Sequence, residues 1–202
     1  IVRLSLPFVA QVDTNLVQSG DYAWSAKIDA PRFDPTPLLG EGTLESLGLA
    51  LQGSGDRYGA KLTGDVDLND YRVRLAPVDA AFDHEYKRLT LRELTVGSPQ
   101  VKGSLTAKGT VDVASQPVSA DLVLAWKDVL LPANIAGQDL ASTGQLAFKG
   151  SAEAYHAEGD VDIGPPGQIG KFALDVDGKP DLITLHNVQL KQPKGNLAAN
   201  GT

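Results

Sequence analysis

The chain has 202 residues, a formal net charge of −7, 21 Gly, 12 Pro, and neither Cys nor Met. Its length admits one large domain or two modest ones with a substantial buried face. The missing Cys excludes disulfides, thiolate nucleophiles and sulfur-ligated zinc, and the acidic balance, unbroken by any Lys/Arg cluster, argues against nucleic acid as a partner.

From the first residue the pattern is period two, which in a strand puts every second side chain on one face. Val2, Leu4, Leu6, Phe8, Ala10 and Val12 share a face opposite Arg3, Ser5, Gln11 and Asp13. Tyr22, Trp24, Ala26 and Ile28 follow against Ser25, Lys27 and Asp29. Leu47, Leu49 and Leu51 form the next strand, then Leu62, Val66 and Leu68 against Lys61, Thr63, Asp65 and Asp67, then Tyr71, Val73 and Leu75. The cleanest alternation sets Leu105, Ala107, Val111 and Val113 against Ser104, Thr106, Lys108, Thr110 and Asp112. After it come Val118, Leu122, Leu124 and Trp126; Leu146 and Phe148; Val161 and Ile163; and Phe172, Leu174 and Val176. Ser19-Gly20-Asp21, Gly53-Ser54-Gly55-Asp56, Leu68-Asn69-Asp70, Gly164-Pro165-Pro166-Gly167 and Asp177-Gly178-Lys179-Pro180 carry turn chemistry. The expectation is an all-β chain of about ten or eleven strands in one curved, elongated sheet, with helix confined to a turn or two.

Short matches recur in order. Trp24 answers Trp126, and Gly42-Thr43-Leu44 answers Gly144-Gln145-Leu146, each 102 positions on. Leu51-Gln52-Gly53-Ser54 with Tyr58 answers Phe148-Lys149-Gly150-Ser151 with Tyr155, 97 on; Gly64-Asp65-Val66-Asp67-Leu68 answers Gly159-Asp160-Val161-Asp162-Ile163, 95 on. Leu89-Thr90-Leu91 answers Ile183-Thr184-Leu185, 94 on, and the stretch from Gly103 to Thr110 answers that from Gly195 to Thr202. Ordered matches with a drifting offset describe two tandem copies, 12–110 and 111–202, within one continuous segment. In both copies the apolar phase shifts once, between Leu91 and Leu94 and between Leu185 and Val188, which predicts a bulge or corner.

No run reaches the roughly twenty apolar residues of a membrane-spanning helix, and no basic, apolar and small-residue signal pattern is found, so any targeting element is expected outside this stretch. Without Met, opening directly on a strand pattern at Ile1, the chain reads as a segment of a longer protein. No catalytic, cofactor or metal site is expected. His84, His156 and His186 have no partner at ligand spacing; His84 sits in the acidic turn Asp83-His84-Glu85, and His186 at the phase shift reads as a turn residue. Asp65, Asp67, Asp160 and Asp162 read as a solvated outer face, because a general acid/base pair is seldom duplicated with its strand. Neither a phosphate-binding glycine loop nor a Gly-x-Ser-x-Gly elbow is found.

The strand run Leu105-Thr106-Ala107-Lys108-Gly109-Thr110-Val111-Asp112-Val113, Gly159–Ile163 and the segment Val118–Trp126 resemble the TamB/AsmA-like family of bacterial envelope proteins. That resemblance implies a taco-shaped half-pipe with an apolar concave interior, lying in the periplasm as part of an inner-membrane-anchored protein. It also implies phospholipid transport between inner and outer membranes, support of outer-membrane protein assembly, and an outer-membrane barrel partner engaged through regions outside this segment. The family's N-terminal anchor is not matched, so the chain would be an interior portion. The positions that would line a groove for phospholipid acyl chains are Leu62, Val66, Leu68 and Val73, then Leu105, Val111 and Val113, then Leu122, Leu124 and Trp126, then Phe148, Val161, Ile163, Phe172 and Leu174. The alternative from another class is an extracellular β-sandwich adhesin or structural array, which would need a linker near residues 111–118, where only Ala114-Ser115-Gln116-Pro117 is available as a turn. A transmembrane barrel is disfavoured by an aromatic content of 6%.

Overall fold

The computed structural model describes residues 2–5, 9–17, 22–36, 44–192 and 195–202. These form β1 (Val2–Ser5), β2 (Val9–Val17), β3 (Ala23–Phe33), β4 (Leu47–Gly55), β5 (Gly59–Leu68), β6 (Tyr71–Phe82) and β7 (Arg88–Gly97). There follow β8 (Lys102–Asp112), β9 (Ser119–Leu131), a one-turn helix α1 (Ala133–Ala136), β10 (Leu140–Ser151), β11 (Tyr155–Gly164), β12 (Gly170–Lys179), β13 (Leu182–Gln192) and β14 (Gly195–Gly201). The fold is all-β, and the strands stand in one sheet in chain order. Every described register is antiparallel, from β1 to β6 and from β8 to β14.

The chain divides into two compact units, Ile1–Ala81 with Arg92–Gln100 and Phe82–Leu91 with Val101–Thr202. In the first, Trp24, Ala26 and Ile28 of β3 face Gly55, Gly53 and Leu51 of β4, and Leu49 faces Val66 of β5. One face is therefore apolar, while Lys27, Gln52 and Thr63 follow one another across the other. In the second unit a single row of partners runs Gly109, Leu122, Phe148, Ala157, Val176 and Leu185 from β8 to β13. Such two-sidedness suits an antiparallel sheet, whose strands do not need cover on both faces.

Fourteen strands among the described residues replace the expected ten or eleven. The alternation from Val2 to Val12 reads as one strand, yet Val2 pairs with Val12 across β1 and β2; Leu6 and Phe8 of that run lie outside the described residues. Two strands run further than their alternation shows because each passes a proline at an irregularity. Pro31 of β3 lies where the register shifts between Ala30 and Phe33, and Pro77 of β6 lies opposite the shift between Leu62 and Gly64. A bulge is where a strand tolerates a residue without an N–H. Tyr22, expected in β3, precedes it with a φ of 57°.

Two of the predicted turns, Asn69-Asp70 and Pro165-Pro166-Gly167, connect strands as expected, whereas Gly53-Ser54-Gly55 stays in β4, paired with β5, and Asp56-Arg57-Tyr58 makes that connection. Asn69 (φ 53°) and Asp70 join β5 to β6, with the Asn69 side chain accepting from the amides of Glu45 (2.8 Å) and Ser46 (3.0 Å). The Asp177-Gly178-Lys179-Pro180 turn is corrected: β12 continues through Lys179, and Pro180-Asp181 makes the connection. Gly178 pairs with Tyr155 of β11 and Ile183 of β13, and the Tyr155 ring lies on it, so that a Cβ there would come within 2.0 Å of the ring. The Ser19-Gly20-Asp21 turn and Gly42-Thr43 lie outside the described residues. The 113–118 connection is a hairpin between paired neighbours β8 and β9.

The predicted bulge is present in β13. Asp175 faces Asn187 while Val176 faces Leu185, so His186 is the extra residue and both apolar halves of the strand keep one face.

Candidate functional site

The apolar face is the first candidate, and its most telling property is how little of it is sealed. Among the described strand residues the buried apolar side chains are alanines, Ala30, Ala107 and Ala157; Pro35, past the end of β3, is fully buried. Leu62, Val66, Leu68 and Val73 are half-buried in the first unit, as are Val111, Leu122, Leu124, Trp126, Phe148, Val161, Ile163, Phe172 and Leu174 in the second. Leu105 is 37% exposed. Val113 departs from the expected row: it lies past the end of β8, in the hairpin connection, 41% exposed. Towards the last strands exposure rises, to 54% at Ile183 and 64% at Leu197.

Aromatic side chains organise this face locally. Phe148 and Tyr155 stack with centroids 5.5 Å apart. Trp126 lies across from Gly144, where a Cβ would stand 2.5 Å from the indole, and its Nε1 donates to the Ser142 hydroxyl at 2.8 Å. Trp24 faces Gly55 near the start of β3 and donates to the Asp56 carbonyl at 3.0 Å. Trp126 lies in the second half of β9, so the two tryptophans, matched by sequence, do not hold equivalent places.

The opposite face is polar, and Asp65, Asp67 and Asp162 of the duplicated aspartates, read as solvated, are ion-paired there. Asp65 faces Arg74 (2.9 Å) and Asp67 faces Arg72 (2.6 Å), each across the β5–β6 ladder. Gly48 of β4 lets Arg32 of β3 reach across towards Asp67, 3.7 Å away. Asp79 takes Lys61 and Arg92, each at 3.1 Å. The hydrogen bond from Arg72 holds the Asp67 carboxyl below its ordinary range, and the one from Lys61 does the same for Asp79. In the second unit Asp162 meets Lys171 at 2.7 Å. These exposed pairs contribute roughly 0–1 kcal/mol each, so they mark the solvated side rather than hold the fold.

Each unit also carries a hollow on this polar face. One of 550 Å3 is bordered by Asp13, Asn15, Ser25, Lys27, Gln52 and Lys61, and one of 760 Å3 by Thr143, Gln145, Glu158, Asp160, Asp162 and Asp175. Of the residues expected to line a groove, Leu174 alone borders the larger, and none borders the smaller.

The histidines correct the sequence reading. His156 and His186, 30 positions apart, converge on one carboxylate: His156 Nδ1 lies 2.8 Å from Asp177 Oδ1, and His186 Nε2 lies 2.8 Å from Asp177 Oδ2. His186 is therefore the bulge residue of a strand and not a turn residue. The signal was present in the β11–β12 hairpin: pairing Ile163 with Gly170 carries His156 to Asp177, and a turn placed at Asp177 hides it. Among the described residues no group of His, Asp or Glu side chains has the arrangement to hold a metal ion, and no helix is long and apolar enough to cross a membrane.

No family model matches this chain, and neither a curated protein nor a solved structure matches it.

Proposed function

We propose that this chain is a non-catalytic segment of a periplasmic bridge that carries phospholipid acyl chains along its apolar face between inner and outer membranes. On this reading it belongs to a TamB/AsmA-like envelope protein anchored in the inner membrane, and it supports outer-membrane protein assembly through a barrel partner bound elsewhere in that protein. One observation carries the proposal. Within each unit the apolar face runs from strand to strand with large aliphatic and aromatic side chains left half-buried, and the apolar strand side chains that are sealed are those of Ala30, Ala107 and Ala157. Burying such a side chain fully is worth roughly 1.5–3 kcal/mol, so a face of this kind gains from an apolar occupant. Acyl chains suit it because they demand no hydrogen bonds and tolerate the irregular relief of Leu, Val and Phe.

The test is a charge placed on each face. Leu124 lies in the apolar row and is half-buried; Asp121, three residues earlier on the polar face, has a side chain 63% exposed. On an open face a Leu124→Arg side chain can snorkel to the edge, so the variant folds but loses co-purified phospholipid, whereas Asp121→Arg keeps it. In a sealed sandwich, as in an adhesin repeat, Leu124→Arg buries an unpaired charge and costs at least about 3 kcal/mol. Thermal unfolding and phospholipid content of the two variants and the wild type separate these outcomes. An unfolded Leu124→Arg protein, or a wild type that carries no lipid, overturns the proposal.

A further inference from the structure

The polar face of the second unit holds one arrangement that neither solvation nor the apolar groove explains. His156 projects from β11, Asp177 from β12 and His186 from the bulge of β13, so both oxygens of a single carboxylate are taken by imidazoles from the strands on either side. The carboxylate thereby ties three neighbouring strands together at the one place where the β12–β13 register shifts. We propose that His156, Asp177 and His186 form a proton-operated clip that fixes the β13 bulge, tightening as the pH falls from mildly alkaline to mildly acid.

The surroundings favour the proton. Glu158 Oε2 lies 3.8 Å from His156 Nε2, and Asp175 Oδ1 lies 3.8 Å from His156 Nδ1, while Lys149 of β10 stands directly opposite His156 as the one cation among these groups. Thr184 and Asn187 on β13 are neutral. An uncharged His156 that donates from Nδ1 turns a lone pair on Nε2 towards Glu158; the charged ring offers a second N–H instead. The hydrogen bond to Asp177, with the charges of Asp175, Asp177 and Glu158, raises the His156 pKa above its ordinary 6.5, and the two imidazoles hold Asp177 below 3.8. The sign follows from linkage. The His156 contribution is complete below 6.5 and is lost as the pH rises through its raised value. The Asp177 contribution is complete above 3.8 and is lost only as the pH falls through the depressed one.

What the clip governs is which face the first half of β13 presents. With the bulge in place, Ile183 and Leu185 stand with Val188 and Leu190; without it, one pair turns to the polar side. The test is amide hydrogen exchange of residues 182–192 between pH 5.5 and 8, corrected for intrinsic rates, together with the NMR titration of His156. In the wild type, protection rises at least about threefold towards pH 5.5. In Asp177→Asn the rise disappears and the His156 pKa drops towards its ordinary value, while His84→Gln, which alters the histidine outside the cluster, keeps both. Protection independent of pH in the wild type, a rise that persists in Asp177→Asn, or a rise abolished by His84→Gln overturns the proposal.

Discussion

Trp126 shows how much of this fold depends on single polar contacts set into an apolar face. Its indole covers Gly144 and hands its N–H to Ser142, which is only 8% exposed and is the buried polar residue of the second unit. Ser142→Ala leaves that donor unpaired beside apolar neighbours, a loss of about 1–2 kcal/mol. Ser142→Thr, which keeps the hydroxyl, recovers most of it. Urea unfolding followed by indole fluorescence measures both, and equal stability of all three proteins would show that water serves the indole as well as Ser142 does. The tryptophan itself was legible as an inward residue of an alternating strand, but its partner was not. Ser142 lies 16 positions away beyond α1, and the register shift between Ser142 and Gly144 that brings the two together leaves no mark in the alternation.

At the scale of the strand, β13 offers the sharpest case. The phase shift between Leu185 and Val188 is readable in sequence because two aliphatic pairs demand one face, and an inserted residue satisfies both. Deleting His186 removes the extra residue, so one pair must turn over. Ile183, already 54% exposed, and Leu185 form the cheaper half, and their turning costs about 2 kcal/mol. His186→Ala keeps the bulge and costs less. Comparing the thermal unfolding of the deletion with that of the alanine variant checks this, and a deletion no worse than the substitution would mean that the strand slides freely. Elsewhere, alternation located most strands but not their ends. Pro31 and Pro77 lie beyond the last alternating residues of their strands, Ile28 and Leu75, and the bulges that accommodate them become visible only once β4 and β5 are laid alongside. The polar convergence on Asp177 was hidden for a related reason. Asp-Gly-Lys-Pro is sound turn chemistry, but Asp177 and Gly178 pair with β11 on one side and β13 on the other, and the ring of Tyr155 lies on Gly178.

At the scale of the whole molecule, the half-burial of the large apolar strand residues and chain-order pairing point the same way. A strand whose hydrogen-bond partners are its sequence neighbours is stabilised by what lies beside it, as in repeat proteins whose stability is a sum of nearest-neighbour terms. The two compact units each contain one tryptophan, Trp24 in the first and Trp126 in the second. Trp24→Phe and Trp126→Phe therefore leave one reporter per unit, and the two denaturant curves are expected to have different midpoints. Coincident curves that also match the far-ultraviolet transition would establish one cooperative fold instead. Chain-order pairing has one more consequence, for how such a sheet is made and how it changes. Each strand leaving the ribosome finds its partner already in place, so assembly can proceed in the direction of synthesis with no segment waiting for a distant mate. For the same reason a hairpin can be duplicated or lost without rerouting any other connection, which makes the number of strands a quantity that evolution can adjust two at a time.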